Sequence, residues 1–99
     1  MSTMRNSVML IGRPIQKPQY FELDNKSEFT LAVTEKYKDA SGETIDVTQK
    51  IFCVCYGRIA ERIKLVRQSQ EIAVDGRLDV STDDGKAVIQ VNDLFIIEP

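Results

Sequence analysis

Few residues of this 99-residue chain are equipped to transform a substrate. Histidine is absent, so the commonest general base and the commonest metal ligand are both missing. Serines and threonines are plentiful, but no histidine stands ready to activate them. The adjacent carboxylates Asp83 and Asp84 fall in "STDDGK", a turn in which solvated acids are expected. No glycine-rich loop is spaced to cradle phosphate. Cys53 and Cys55 offer two thiols, whereas a tetrahedral zinc site takes four ligands, and the chain has no others of that type. The inventory points away from an enzyme, a bound metal or any other cofactor.

What remains is a chemistry of contact. In "KIFCVCYG", residues 50–57, side chains alternate across an extended strand. Lys50, Phe52, Val54 and Tyr56 share one face; Ile51, Cys53 and Cys55 share the other. The cysteine face is small and apolar and suits a core. The second face carries a cation and two rings, so either it is also buried or it binds something flat. Tyr37, flanked by Lys36 and Lys38, closes the preceding strand. Rings on a positively charged track match unpaired nucleobases: each base has a flat face to stack and each phosphate attracts a cation. The same rings would serve equally to finish a core or a subunit interface.

Charge is unevenly spread. The net charge of −2 does not favour a polyanion. However, residues 1–20 hold Arg5, Arg13 and Lys17 and no acid, and residues 50–70 hold five cations against Glu61 alone. No run of 18 or more apolar residues is present to span a membrane. The opening "MSTMRNSVMLIG" reads as a first strand and not as a signal peptide. Two cysteines two apart on one strand are poorly placed to bridge, so a reducing compartment is expected.

The elements that must position these groups follow from periodicity. "NSVMLIGRP" alternates, with Val8 and Leu10 opposite Met9 and Ile11, and Pro14 and Pro18 mark an irregular connection after it. "SEFTLAVTEKYK" is a second strand with Phe29, Leu31 and Val33 on one face. "DASGET" is a hairpin turn leading into a third strand from about Ile45 to Tyr56. Beyond Gly57 the period changes: Ile59, Ile63 and Val66 fall at i, i+4, i+7, predicting an amphipathic helix of about three turns. "EIAVDGRLDV" and "AVIQVNDLFIIE" return to strand alternation around the 81–86 turn. Three strands, one helix and two strands, with glycines at the bends, predict an all-β single domain over residues 1–99. Its architecture is a five-stranded OB-fold barrel with the helix between strands three and four. An open sandwich of the same strands would leave its edges bare.

The chain resembles the bacterial single-stranded DNA-binding protein family over nearly its whole length. The resemblance is carried by "NSVMLIGRPIQKPQ", "FTLAVTEKYKDASGE", "VCYGRIAERI" and "IAVDGRLDV", in the family's order and spacing. It implies an OB-fold that binds single-stranded DNA with little sequence preference in replication, recombination or repair, in the cytoplasm near the nucleoid. It further implies a homo-oligomer, dimer or tetramer, with strand one as the pairing edge, so that Asn6, Val8 and Ile51 lie near subunit contacts. Tyr37 falls at a stacking tryptophan of the family, Tyr56 at the stacking phenylalanine before the glycine, and Phe52 at a DNA-facing position. Lys50 stands where many members have a second tryptophan, and Arg13 and Arg77 lie near basic or polar contact sites. With Lys36 and Arg58 as further phosphate contacts, these residues form the expected DNA interface.

The chain also departs from the family pattern. It has no tryptophan, its 81–86 hairpin is short, and its acidic bulk implies modest affinity. The family's flexible linker and acidic tail, which recruits other replication proteins, do not follow "DLFIIEP", so such partners are left open. A truncated chain and a naturally short paralogue both fit. The alternative function is a protein-interaction module of the primosome type, with weak or no DNA binding.

Overall fold

The computed structural model describes residues 6–80 and 84–97. Arg5 and the 81–83 part of the expected turn lie outside the described residues. Six strands and one helix run in the order β1 (Val8–Pro14), β2 (Gln19–Phe21), β3 (Lys26–Lys38), β4 (Thr44–Tyr56), α1 (Arg58–Ile63), β5 (Ile72–Val80) and β6 (Ala87–Ile96). The sheet order is β1-β5-β6-β4-β3-β2, and a further β1–β3 pairing closes it into a barrel. The expected OB-type barrel with its helix between the third and fourth long strands is therefore present, and the open sandwich is not.

Closure depends on Gly12. β1 pairs with β5 from Val8 to Gly12, then with β3 through Arg13 and Pro14. A Cβ at Gly12 would collide with the Ala32 carbonyl oxygen, so the two backbones approach this closely only where the side chain is hydrogen.

Alternation builds the core. Phe29 and Leu31 from β3, Cys53 and Cys55 from β4, Ile72 and Val74 from β5, and Ile89, Val91 and Leu94 from β6 are all buried. Val91 and Leu94 stand three apart, which strict alternation would forbid. The β5–β6 register shifts between Asp75 and Gly76, and the extra residue on β6 brings Leu94 back inside.

Two elements differ from the sequence-based expectation. The helix is six residues and not three turns. Of its periodic residues, Ile63 in the helix and Val66 in the turn after it are nevertheless buried, together with Ala60, while Ile59 is partly buried against the core. The last turn tightens through Leu65 N–H to Arg62 C=O (3.1 Å) and Val66 N–H to Ile63 C=O (2.9 Å). Lys17 Nζ then takes up the Lys64 and Val66 carbonyls at 2.8 and 3.1 Å, ending the helix with a cation. The second difference is β2, where an irregular connection was expected. Three residues are too few to show alternation; pairing with β3 alone makes "QYF" a strand.

Beyond the barrel, β3 and β4 continue as a free arm. Residues 34–38 and 44–46 are all exposed. The radius of gyration is 15.0 Å, above the roughly 13 Å of a compact chain of about 100 residues.

Candidate nucleic-acid interface

The β3–β4 ribbon pairs without a break from Lys26–Tyr56 to Lys38–Thr44. Residues directly opposite in an antiparallel pair share a face, so the register sorts every side chain of the ribbon. One face is the barrel's outer surface. Its rungs are Lys26 with Tyr56, Glu28 with Val54, Thr30 with Phe52, Ala32 with Lys50, Thr34 with Thr48, and Lys36 with Asp46. The reverse face carries the buried Ser27, Phe29 and Leu31 along the barrel, and Tyr37 opposite Ile45 on the arm.

The outer face extends over neighbouring strands. Val54 pairs with Gln90, and Gln90 with Arg77. Arg77 donates from Nε and Nη2 to Gln90 Oε1 at 2.9 and 2.6 Å, which holds the guanidinium against the sheet. At the other end Arg13 pairs with Ala32, so Arg13 and Lys50 stand either side of that small residue. Arg13 also donates to the Ser69 carbonyl at 2.8 Å and lies 3.8 Å from Glu71.

The two rings of β4 are bare: Phe52 is 40% exposed and Tyr56 53%. Ring faces left open to water in a small barrel are surfaces available to a partner. Phe52 stands between two clefts, one lined also by Gln16, Gln19, Glu28 and Thr30, the other by Asp84, Lys86 and Val88.

The expected interface thus divides. Phe52, Tyr56, Lys50, Lys36, Arg13 and Arg77 share the outer face. Tyr37, 48% exposed, lies on the reverse of the arm and does not join the β4 rings in one surface. Arg58 is exposed at the start of α1, two residues beyond Tyr56. Among the described residues Lys36, Lys50 and Arg58 have no ion pair or side-chain hydrogen bond.

Residues expected near a subunit contact are partly used within the chain. Asn6 bridges both backbone groups of Leu78, donating to its carbonyl at 2.6 Å and accepting from its N–H at 2.9 Å. Val8 and Ile51 are half-buried against the core. The β1 edge opposite β5 has no strand beside it from Val8 to Ile11 among the described residues.

Three participants escaped the sequence reading. Lys86, after the glycine of the last turn, lines a cleft with Phe52. Lys26 and Glu28 form an ion pair at 3.2 Å between the Tyr56 and Phe52 rungs. That hydrogen bond raises the pKa of Lys26, whose ammonium also lies 5.1 Å from the Phe21 ring centre. The signal was available: a tight 39–44 turn fixes which β3 residue faces each ring.

Inside the barrel, burial pushes Cys53 up to about 12, helped by the nearby Cys55, and burial pushes Cys55 up to about 11. Both are free thiols. Thiols held neutral in this way are core residues and not nucleophiles.

Comparison with known proteins bears on what covers this face. Residues 5–92 match the Single-strand binding protein family. The chain is 33% identical over 86 residues to Single-stranded DNA-binding protein 1 of Chlorobaculum tepidum, covering 82% of this chain and 53% of that protein. It therefore spans about half the length of the curated relative it matches. A Plasmodium falciparum SSB complex with ssDNA superposes with a TM-score of 0.77 at 26% identity, covering 99% of each chain. The single-stranded DNA binding protein from Thermus aquaticus, as a deletion mutant, gives 0.77 at 26%, covering 95% of this chain and 51% of that one. The small single-stranded DNA-binding protein of Streptomyces coelicolor shares the fold, with a TM-score of 0.73 at 21% identity over 95% of each chain.

Proposed function

The chain belongs to the single-strand binding protein family, and on that premise we propose that it binds single-stranded DNA along the outer face of β3, β4, β6 and β5. The observation that carries this reading is the pair of bare rings, Phe52 and Tyr56, on a barrel face edged by Lys50, Lys36, Arg13, Arg77 and Lys86. Single-strand-binding OB-folds are the standard instance of stacking on aromatic platforms along a cationic groove. Each stacked base contributes ~1–3 kcal/mol whatever its identity. Bases stack on Phe52 and Tyr56 while Lys50, Lys36 and Arg58 meet phosphates. Tyr37 takes part only where the strand passes over the edge of the arm. The role is binding and not catalysis, in replication, recombination or repair.

A homo-oligomer goes with this reading. The open β1 edge and the exposed Met9 and Ile11 beside it favour pairing with a second copy.

A second reading rests on the reverse of the arm, where Tyr37 and Ile45 are 48% and 40% exposed side by side. That patch suits a protein contact, and it is compatible with DNA on the outer face.

Titrating labelled oligo-dT at several salt concentrations tests the main reading. Affinity is expected to fall with salt at a log–log slope of about −0.7 per phosphate neutralised. Removing both rings, Phe52→Ala with Tyr56→Ala, should weaken binding at least about tenfold at each salt. Equal affinity in the double variant would exclude this face.

A further inference from the structure

Glu28 is out of place on a face built for a polyanion. It points outward between the rungs of Tyr56 and Phe52, where a stacked strand would pass. Lys26 engages one carboxylate oxygen, Oε2, at 3.2 Å. Lys17, the other lysine lining the cleft, donates its ammonium hydrogens to the Lys64 and Val66 carbonyls. The carboxylate therefore keeps acceptor capacity, with no second cation paired to it among the described residues. It lines a cleft of about 190 Å³ together with Phe52, Thr30, Gln16 and Gln19. That is below the roughly 300–1,000 Å³ of pockets for drug-sized ligands and suits one planar ring.

We infer that this cleft reads a base edge: a base stacked on Phe52 presents its edge to Glu28, which selects bases carrying an exocyclic amino group. The inference rests on the proposed DNA-binding role of the outer face and deepens it. A carboxylate only accepts hydrogen bonds. Cytosine offers its N4 amino group and adenine its N6 amino group, whereas thymine and uracil place a carbonyl oxygen at the equivalent position. Facing Glu28, an amino group gains a charge-assisted hydrogen bond and a carbonyl meets like partial charge. Thr30, Gln16 and Gln19 can donate or accept, so they adapt to either base, and the discrimination falls to Glu28. The protein is then tolerant of sequence along most of its track and selective at one position.

Oligo-dC and oligo-dU of equal length differ at position 4 of the ring, amino against carbonyl, and at N3, acceptor against donor, so the comparison tests the position-4 contact against any bond from the uracil N3–H to Glu28. Measured on the intact protein by competition at neutral pH, oligo-dC is expected to bind about tenfold tighter, a difference of ~1.4 kcal/mol. Glu28→Gln is expected to bring the two affinities together, chiefly by strengthening oligo-dU, since the substitution removes a charge that repels both phosphate and carbonyl. Equal affinities in the unaltered protein overturn the inference while leaving DNA binding intact, and that arm stands even if Glu28→Gln does not fold. A dC preference that survives Glu28→Gln also overturns it. Failure of both strands to bind overturns the underlying reading and this one with it.

Discussion

Cys53 and Cys55 show how strongly a residue's place in the pleat decides its chemistry. Sulfur in the core is insulated, with the thiols raised to about 12 and about 11 against an ordinary 9.0. At pH 8 neither should react with a thiol reagent until denaturant is added, and the reagent's absorbance checks this. The same shifts set an alkaline limit. The native thiols stay protonated while those of the unfolded chain begin to ionise near pH 9. Their contribution to stability is thus complete below about 9 and is lost progressively between about 9 and 11–12. Chemical denaturation at pH 8 and pH 10.5 should show lower stability at the higher pH, with a smaller drop in a Cys53→Ala/Cys55→Ala variant. The division of faces in "KIFCVCYG" was legible from alternation alone, because a strand inverts its side chains at every residue. The face that Tyr37 occupies does not follow from its place beside the turn. Its odd number sets it across the ribbon from even-numbered Phe52 and Tyr56, and only the register of the turn makes that comparison meaningful.

At the scale of elements, the short helix is held less by its own hydrogen bonds than by what it sits on. Six residues are far below the length at which a helix is stable alone. Ser27 Oγ, fully buried, donates to the Ala60 carbonyl at 2.7 Å and fixes α1 over the end of the barrel. Ser27→Ala should cost about 1 kcal/mol, the net worth of one buried hydrogen bond, because the Ala60 carbonyl still accepts from the Lys64 N–H at 3.1 Å; the urea midpoint should shift without a change in slope. Gly57, at φ 72° and ψ −137°, turns the chain from β4 into that helix. Gly57→Ala puts a side chain in a conformation that essentially only glycine adopts, at a cost of order 1–3 kcal/mol. Periodicity identified the helix's buried face because burial obeys geometry even past the last helical residue. It overestimated the length because Lys17, distant in sequence, takes the carbonyls where the helix ends. At the arm tip, Asp39 accepts from the Ser41 hydroxyl and from the Ser41 and Glu43 N–H groups, at 2.6, 2.9 and 3.0 Å. The Ser41 hydroxyl first, then the Glu43 N–H, lower its pKa. The tip is therefore tightest above the usual Asp range and should loosen as pH falls through the lowered value. Amide exchange at Ser41 and Glu43 should report it, and Asp39→Ala should show the same loosening at neutral pH.

Over its described residues the molecule is a barrel closed at one glycine, with a ribbon arm and an open β1 edge. Closure makes the account sensitive to Gly12: Gly12→Ala must push β1 away from the Ala32 carbonyl, reopening the β1–β3 seam. A loss of several kcal/mol or failure to fold is expected, in the range seen for overpacking against backbone. The open edge predicts an oligomer. Sedimentation should find a dimer or larger without DNA, and a monomer at micromolar concentration would contradict that. The five long strands, the helix position and the aromatic strand could all be read from the sequence, because each is encoded within a dozen neighbouring residues, whereas the three-residue β2 could not. The Arg77–Gln90 lock and the Lys86 cleft could not, because each depends on which strands lie side by side.

The central claim, that bases stack on the rings of the outer face, has a direct optical test. The chain has no tryptophan, and its tyrosines are Tyr20, Tyr37 and Tyr56. In a Tyr20→Phe/Tyr37→Phe variant Tyr56 is the sole emitter. Adding oligo-dT at low salt should quench its fluorescence saturably, in step with the anisotropy of the labelled strand. Strand binding with undiminished Tyr56 emission would contradict the account.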